Sequence, residues 1–112
     1  PAAQEPLDRG ILDMNKTLKI YIAGPMTGLV DANRHAFNGH ASTLAEAGHV
    51  PLNPAVLPDG LEHHEYMAIC KPMVEIADEV HMLPGWEHSK GAMMEHEWAS
   101  AMDKPIRFVE AA

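Results

Sequence analysis

Between Pro84 and Glu95 the chain reads Pro84-Gly85-Trp86-Glu87-His88-Ser89-Lys90-Gly91-Ala92-Met93-Met94-Glu95, a stretch dense in residue types that carry chemistry. Ser89 is placed to cap a helix, which leaves the next backbone N–H groups free to meet an anion. Glu95 falls about a turn inside that helix, on a face otherwise made of alanine and methionine. A carboxylate among such neighbours is costly to bury without a purpose. The competing reading is a partly exposed acid that complements the positive helix start. A second candidate is Gly24-Pro25-Met26-Thr27-Gly28, which follows an apolar run. Its glycines let the backbone approach a ligand closely, and its N–H groups can point at an anion. It is neither a dinucleotide fingerprint nor a P-loop, and a tight strand–helix turn explains it equally well.

Both segments need a scaffold, and the hydrophobic pattern supplies one. Leu18–Ala23 is a short apolar run ending in Gly24-Pro25, the signature of a buried strand. Asn33–Ala47 follows as a helix with Phe37, Ala41 and Leu44 on one face and Gly48 at its end. His49–Leu52 is a second strand, and Ala55–Gly60 a loop by its own Pro58 and the Pro54 that precedes it. Glu62–Ala77 has the period of a helix with Tyr66, Ile69, Met73 and Ile76 as its stripe, and Pro72 predicts a kink or two short helices. Glu79–Leu83 is a third strand, Gly91–Met102 a third helix with Ala92, Glu95, Ala99 and Met102 aligned, and Ile106–Val109 a fourth strand. Strands alternating with crossover-length helices predict an α/β fold, a small three-layer sandwich around a parallel sheet of four to five strands, flavodoxin-like or Rossmann-like. In such sheets ligands sit beyond the carboxyl ends of the strands, which selects the loops Gly24–Asn33, Asn53–Gly60 and Pro84–Lys90.

The composition narrows what these loops can bind. The 112 residues include 8 Lys+Arg and 16 Asp+Glu, a formal net charge of −8, which disfavours a nucleic acid polymer as partner. One cysteine, Cys70, excludes an internal disulfide framework and a multi-cysteine zinc site. No apolar run reaches the roughly 18–20 residues of a membrane helix, and no signal peptide is visible, so the cytoplasm is the expected compartment. Residues 1–13 show no periodicity and precede Met14. They read as an extension outside the fold, either foreign to the natural chain or a native disordered arm, with 14–112 as the single domain.

Three features together resemble the nucleoside 2-deoxyribosyltransferase family: Tyr21-Ile22-Ala23-Gly24-Pro25, Ile76-Ala77-Asp78 before a strand, and Ser89-x-Gly91-x-x-x-Glu95 leading into Ala99. They also resemble its relative, the 2′-deoxynucleoside 5′-monophosphate N-hydrolase, and a small bacterial and phage branch carrying Trp86-Glu87-x-Ser89. The resemblance spans roughly Lys19 to Val109. It implies that Glu95 is the nucleophile, and that Ser89, where the transferases carry an aspartate, contacts a 5′-phosphate. It matches Tyr21 to the first-strand aromatic, Gly24 and Gly28 to the glycine-rich turn, and Ala77-Asp78 to the pair before the third strand. A second-loop aspartate near the base has Asp59 as its only nearby candidate. The chemistry agrees, because breaking an N-glycosidic bond builds positive charge at C1′ that a carboxylate can stabilise and trap as an ester. The leaving base needs a proton donor, for which Asp78, His88, Glu87 and Tyr21 are candidates. A second base would give transfer, and water hydrolysis.

The expected site is therefore Glu95, Asp78 and Tyr21 for catalysis, with Gly24, Pro25, Met26, Gly28, Trp86, His88, Ser89 and Gly91 around the substrate. The alternative is a non-catalytic nucleotide-binding module on the same fold. No cofactor is expected and no metal, since His63-His64 cannot share a helix face and Glu95-His96-Glu97 is not HExxH. Trp86 has two readings, stacking on a base or closing the loop against a neighbouring subunit. The methionines read as core or interface filler, Lys90 as solvated, and Cys70 as an inert thiol without a visible partner. An open sheet edge and a Met/Trp-rich helix surface predict a homo-oligomer, and the resemblance implies a site shared between subunits.

Overall fold

A computed structural model describes residues 16–111, so the expectation for 1–13 lies outside the described residues. The elements run β1 (Lys19–Ala23), α1 (Arg34–Glu46), β2 (Val50–Leu52), α2 (His63–Ile76), β3 (Glu79–Met82), α3 (Lys90–Ala101) and β4 (Ile106–Phe108). Single 3-10 turns at Val30–Asn33, Pro54–Val56 and Trp86–His88 precede or replace parts of the connecting loops. All strand pairs are parallel in the order β2-β1-β3-β4. The expected α/β sandwich is therefore the observed one, with four strands.

Alternation along β1 divides the core into two layers. Tyr21 and Ala23 point to the side of α2 and α3, where they join Cys70, Val74, Val80, Met82, Ala92 and Ala99. Ile20 and Ile22 point to the other side and join Phe37 and Leu44 of α1. A period of two in a strand paired with a period of 3.6 in its helices produces this division. On the α1 side β3 presents polar groups instead. His40 Nε2 and His81 Nδ1 share a hydrogen bond of 2.9 Å, and His81 Nε2 meets Glu79 Oε2 at 2.7 Å. Arg107 donates to the same Glu79 oxygen at 3.2 Å.

Two expectations for α2 are corrected. It is one continuous helix through Pro72. Pro72 and Ala68, whose carbonyl loses its helical partner, are both exposed, so water can satisfy that carbonyl. The buried stripe is also rotated: Cys70 and Val74 are buried, whereas Ile69 and Ile76 are 40% and 57% exposed. Helix α1 starts one residue later than expected, because Asp31, Ala32 and Asn33 are left-handed, with φ of 47°, 54° and 61°. The third helix presents the expected face, with Ala92, Glu95 and Ala99 buried.

Candidate active site

A cavity of about 270 Å³ opens at the carboxyl ends of β1, β2 and β3. Its near wall is the first loop, from Gly24 through Met26, Thr27 and Gly28 to Ala32. On the β2 side stand Arg34, Phe37, Pro54, Leu57 and Asp59. His63, Tyr66, Met67 and Cys70 of α2 form the far wall, and Ser89, Gly91, Ala92 and Glu95 of α3 complete it. Gly24 is required by contact, since a Cβ there would lie 2.8 Å from the Leu83 Cβ.

Glu95 is the most perturbed acid of this wall. It is 5% exposed, and Tyr21, fully buried, donates its O–H to Glu95 Oε2 at 2.5 Å. The Cys70 thiol lines the same cavity as Glu95 and shares a core layer with Tyr21. Burial raises the Glu95 carboxyl from an ordinary 4.5 to about 7, against the pull of the Tyr21 hydrogen bond. Tyr21 is held well above its ordinary range, first by burial and then by the Glu95 charge. Burial likewise lifts Cys70 to about 11, so it stays a thiol in any working buffer. The result is a carboxyl with a raised pKa, held by the Tyr21 O–H and open to a cavity.

Ser89 caps α3 by accepting the Ala92 N–H at 3.1 Å, which leaves its own hydroxyl proton free for the cavity. The N–H groups of Lys90 and Gly91 belong to the first helical turn and lack intrahelical acceptors. Arg34 ties the rim together: it donates to the carbonyls of Ala55 and Leu57, to Asp31 at 3.0 Å and to Asp59 at 2.8 Å.

The structure gathers Glu95, Tyr21, Gly24, Met26, Gly28, Ser89 and Gly91 at one cavity. It separates four others from it. Asp78 lies at the amino ends of the strands, where its Oδ2 accepts the Lys19 N–H at 2.8 Å, a structural clasp between β1 and β3. Trp86 stacks on His96 with centroids 4.8 Å apart and 9° between planes, away from the cavity lining. His88 is exposed outside the lining, and Pro25 turns the loop, its carbonyl accepting from Asn33 Nδ2. Arg34, His63, Tyr66, Met67 and Cys70 join the site without having been singled out for it. The spacing 63, 67, 70, 74 along α2 is the stripe that carries His63, Met67 and Cys70, one position round from the more apolar alternative. Among the described residues no group of three or more His, Cys, Asp or Glu side chains could hold a metal, and no helix is long and apolar enough to cross a membrane.

The family model described as "Domain of unknown function (DUF4406)" matches residues 18–108. No curated protein matches the chain. Among solved structures it is similar to a 2-desoxiribosyltransferase from Leishmania mexicana, with a TM-score of 0.66 and 21% sequence identity. The similarity covers 81% of this chain and 63% of that one. At that identity the likeness shows a shared fold.

Proposed function

The chain belongs to the DUF4406 family, and on its frame we propose an enzyme that cleaves or transfers the N-glycosidic bond of a 2′-deoxynucleoside or its 5′-monophosphate. The observation that carries this reading is Glu95, buried, hydrogen-bonded by Tyr21 at 2.5 Å and facing a cavity beyond the carboxyl ends of the strands. The fold shared with a 2-desoxiribosyltransferase supports it.

In the proposed reaction a Glu95 carboxylate oxygen bonds to C1′ while the C1′–N bond breaks. The bonding pair leaves with the base, which takes a proton from water in the open cavity. The hydroxide left behind is neutralised by the proton that the attacking water or second base gives up in the next step. Water or a second base then attacks C1′ and frees the carboxylate, so two displacements retain the configuration. The Tyr21 O–H holds one carboxylate oxygen, which leaves the other to attack. Ser89 and the first N–H groups of α3 are the contacts for a 5′-oxygen or phosphate. Asp78 keeps its structural clasp and takes no part. Val30 and Val56, 93% and 76% exposed on two rim loops, form an apolar margin that a second copy of the chain would cover in the proposed homo-oligomer.

The test incubates the protein with a panel of 2′-deoxynucleosides and their 5′-monophosphates and follows base release by chromatography, beside Glu95→Ala. Base release by the parent chain, its loss in the variant, and a deoxyribosyl adduct on Glu95 by mass spectrometry are the expected results. Full turnover by Glu95→Ala overturns the mechanism. Tight binding without base release converts the reading to a nucleotide-binding module.

A further inference from the structure

Arg34 is the one permanent cation among the described residues that line the cavity, and its charge is already matched within the chain. Its Nε donates to the Ala55 carbonyl at 3.1 Å, and its Nη2 to the Leu57 carbonyl at 3.2 Å. Ion pairs join it to Asp31 Oδ1 at 3.0 Å and to Asp59 Oδ1 at 2.8 Å. A guanidinium has five N–H donors, so four of them are directed at protein acceptors. Arginine recognises a phosphate best through two parallel N–H groups of its fork, and that fork is occupied. Two carboxylates against one guanidinium leave this clamp with a net negative charge, and Glu95 is a further acid of the same lining. Lys90, although next to Ser89, is exposed and stands outside the lining. His63, exposed at the start of α2, is the remaining base of the wall.

We propose that the Asp31–Arg34–Asp59 clamp is the specificity determinant of the cavity: it admits a 2′-deoxynucleoside with a free 5′-hydroxyl and rejects the 5′-monophosphate. The inference rests on the deoxyribosyl reading of the site. It departs from the family resemblance, which matches Ser89 to a phosphate contact. A phosphate monoester brings a charge of about −1.5 to −2 at neutral pH. Beside Ser89 it meets the N–H groups of the α3 start, equivalent to roughly half a positive charge. Against it stand the two clamp acids and Glu95. Arg34 cannot turn to the phosphate without releasing the rim, because its bonds join the first loop, α1 and the loop that carries Ala55, Leu57 and Asp59. A hydroxyl makes no such demand, since it exchanges a single neutral hydrogen bond at Ser89 and leaves the clamp intact. The clamp acids are 71% and 81% exposed, so their repulsion acts through water and is screened by salt. It sets selectivity between two charge states of one ligand.

The test compares the full chain carrying Glu95→Gln, which blocks turnover, with the same chain carrying Asp31→Asn and Asp59→Asn as well. The two amides keep an acceptor for Arg34 while both negative charges go. Calorimetry at pH 8, where an ordinary imidazole is neutral, measures the affinity of each 2′-deoxynucleoside, its 5′-monophosphate and inorganic phosphate at low and high salt. With the clamp intact the nucleoside is expected to bind roughly 10-fold tighter than its monophosphate, and the gap to narrow as salt rises. Without the two charges the ratio is expected to shift at least about 10-fold toward the monophosphate. A monophosphate that binds the intact clamp as tightly as its nucleoside, or a ratio unmoved by the two Asn substitutions, overturns the proposal. Inorganic phosphate decides the role of the clamp without any nucleoside. Phosphate binding gained by the clamp variant alone upholds it, and binding by both chains or by neither overturns it. Failure of every nucleoside to bind strikes the deoxyribosyl reading and leaves the phosphate result standing.

Discussion

Replacing Glu95 by Gln should make the protein more stable at pH 8 and much less so at pH 5. Gln keeps the shape of the protonated carboxyl and its acceptor for the Tyr21 O–H, but it never ionises. In the parent chain burial moves the Glu95 carboxyl from 4.5 to about 7, so the folded state resists ionisation that the unfolded chain accepts freely. Its folded pKa is raised, so the folded chain holds the proton more tightly between these values. Stability contributed by this group therefore falls as pH rises from 4.5 and levels off above 7. At about 1.4 kcal/mol for each tenfold step in proton affinity, the full penalty is on the order of 3 kcal/mol. At pH 5 only about 1 kcal/mol of it is present by the same linkage relation. Urea unfolding of both proteins at the two pH values reads the difference directly. The expected result is a gap that widens by about 2 kcal/mol from pH 5 to pH 8. A gap that does not change with pH refutes the claim that Glu95 carries a desolvated charge.

Four further outcomes follow from the geometry. Tyr21→Phe removes a hydrogen bond to a charged group worth about 1.5–3 kcal/mol, so kcat/KM should fall roughly 10- to 100-fold with the acid limb of its pH profile moved upward. Gly24→Ala drives a Cβ to 2.8 Å from that of Leu83 and should lower stability by about 1–3 kcal/mol, seen as a lower Tm. Burial and the neighbouring His81 lower the His40 pKa, so the unfolded chain takes up that proton first and stability should fall as pH drops below about 6.5. Melting curves in the Glu95→Gln background, where the opposing carboxylate slope is gone, should show this fall, and His40→Gln should flatten it. Arg34→Met unties the carbonyls of Ala55 and Leu57 from the α1 start, and should raise KM with kcat nearly unchanged.

Much of this arrangement was legible in the sequence for physical reasons. The first three strands are short runs closed by Gly or Pro, and α3 shows its buried face because Ala92, Glu95 and Ala99 follow a clean helical spacing. Glu95 and Ser89 were legible through a cap and a misplaced carboxylate. Helix α2 was harder, because two apolar stripes compete on it and the better packed one contains a cysteine and a histidine. Arg34 lay hidden for another reason: its partners are backbone carbonyls and aspartates 3 and 25 positions away, set by loop conformation that no periodicity records. Asp78 misled because the strand it precedes runs toward the cavity and so leaves it at the far, amino end of the sheet. A residue before a parallel strand and one after it stand at opposite ends of the sheet.

The Tyr21–Glu95 hydrogen bond also has a kinetic meaning. It joins positions 74 apart in the chain, and the loop it closes contains α1, β2, α2 and β3. Closing so long a loop carries an entropy cost that only the intervening local units can offset as they form. Glu95 and its donor therefore meet after both crossover units have docked on β1, and a chain still emerging from synthesis holds Tyr21 long before it holds Glu95. Recovery of the Glu95 titration near pH 7 during refolding is thus a clock for the last stage of assembly, and partly folded chains present an ordinary surface acid in its place.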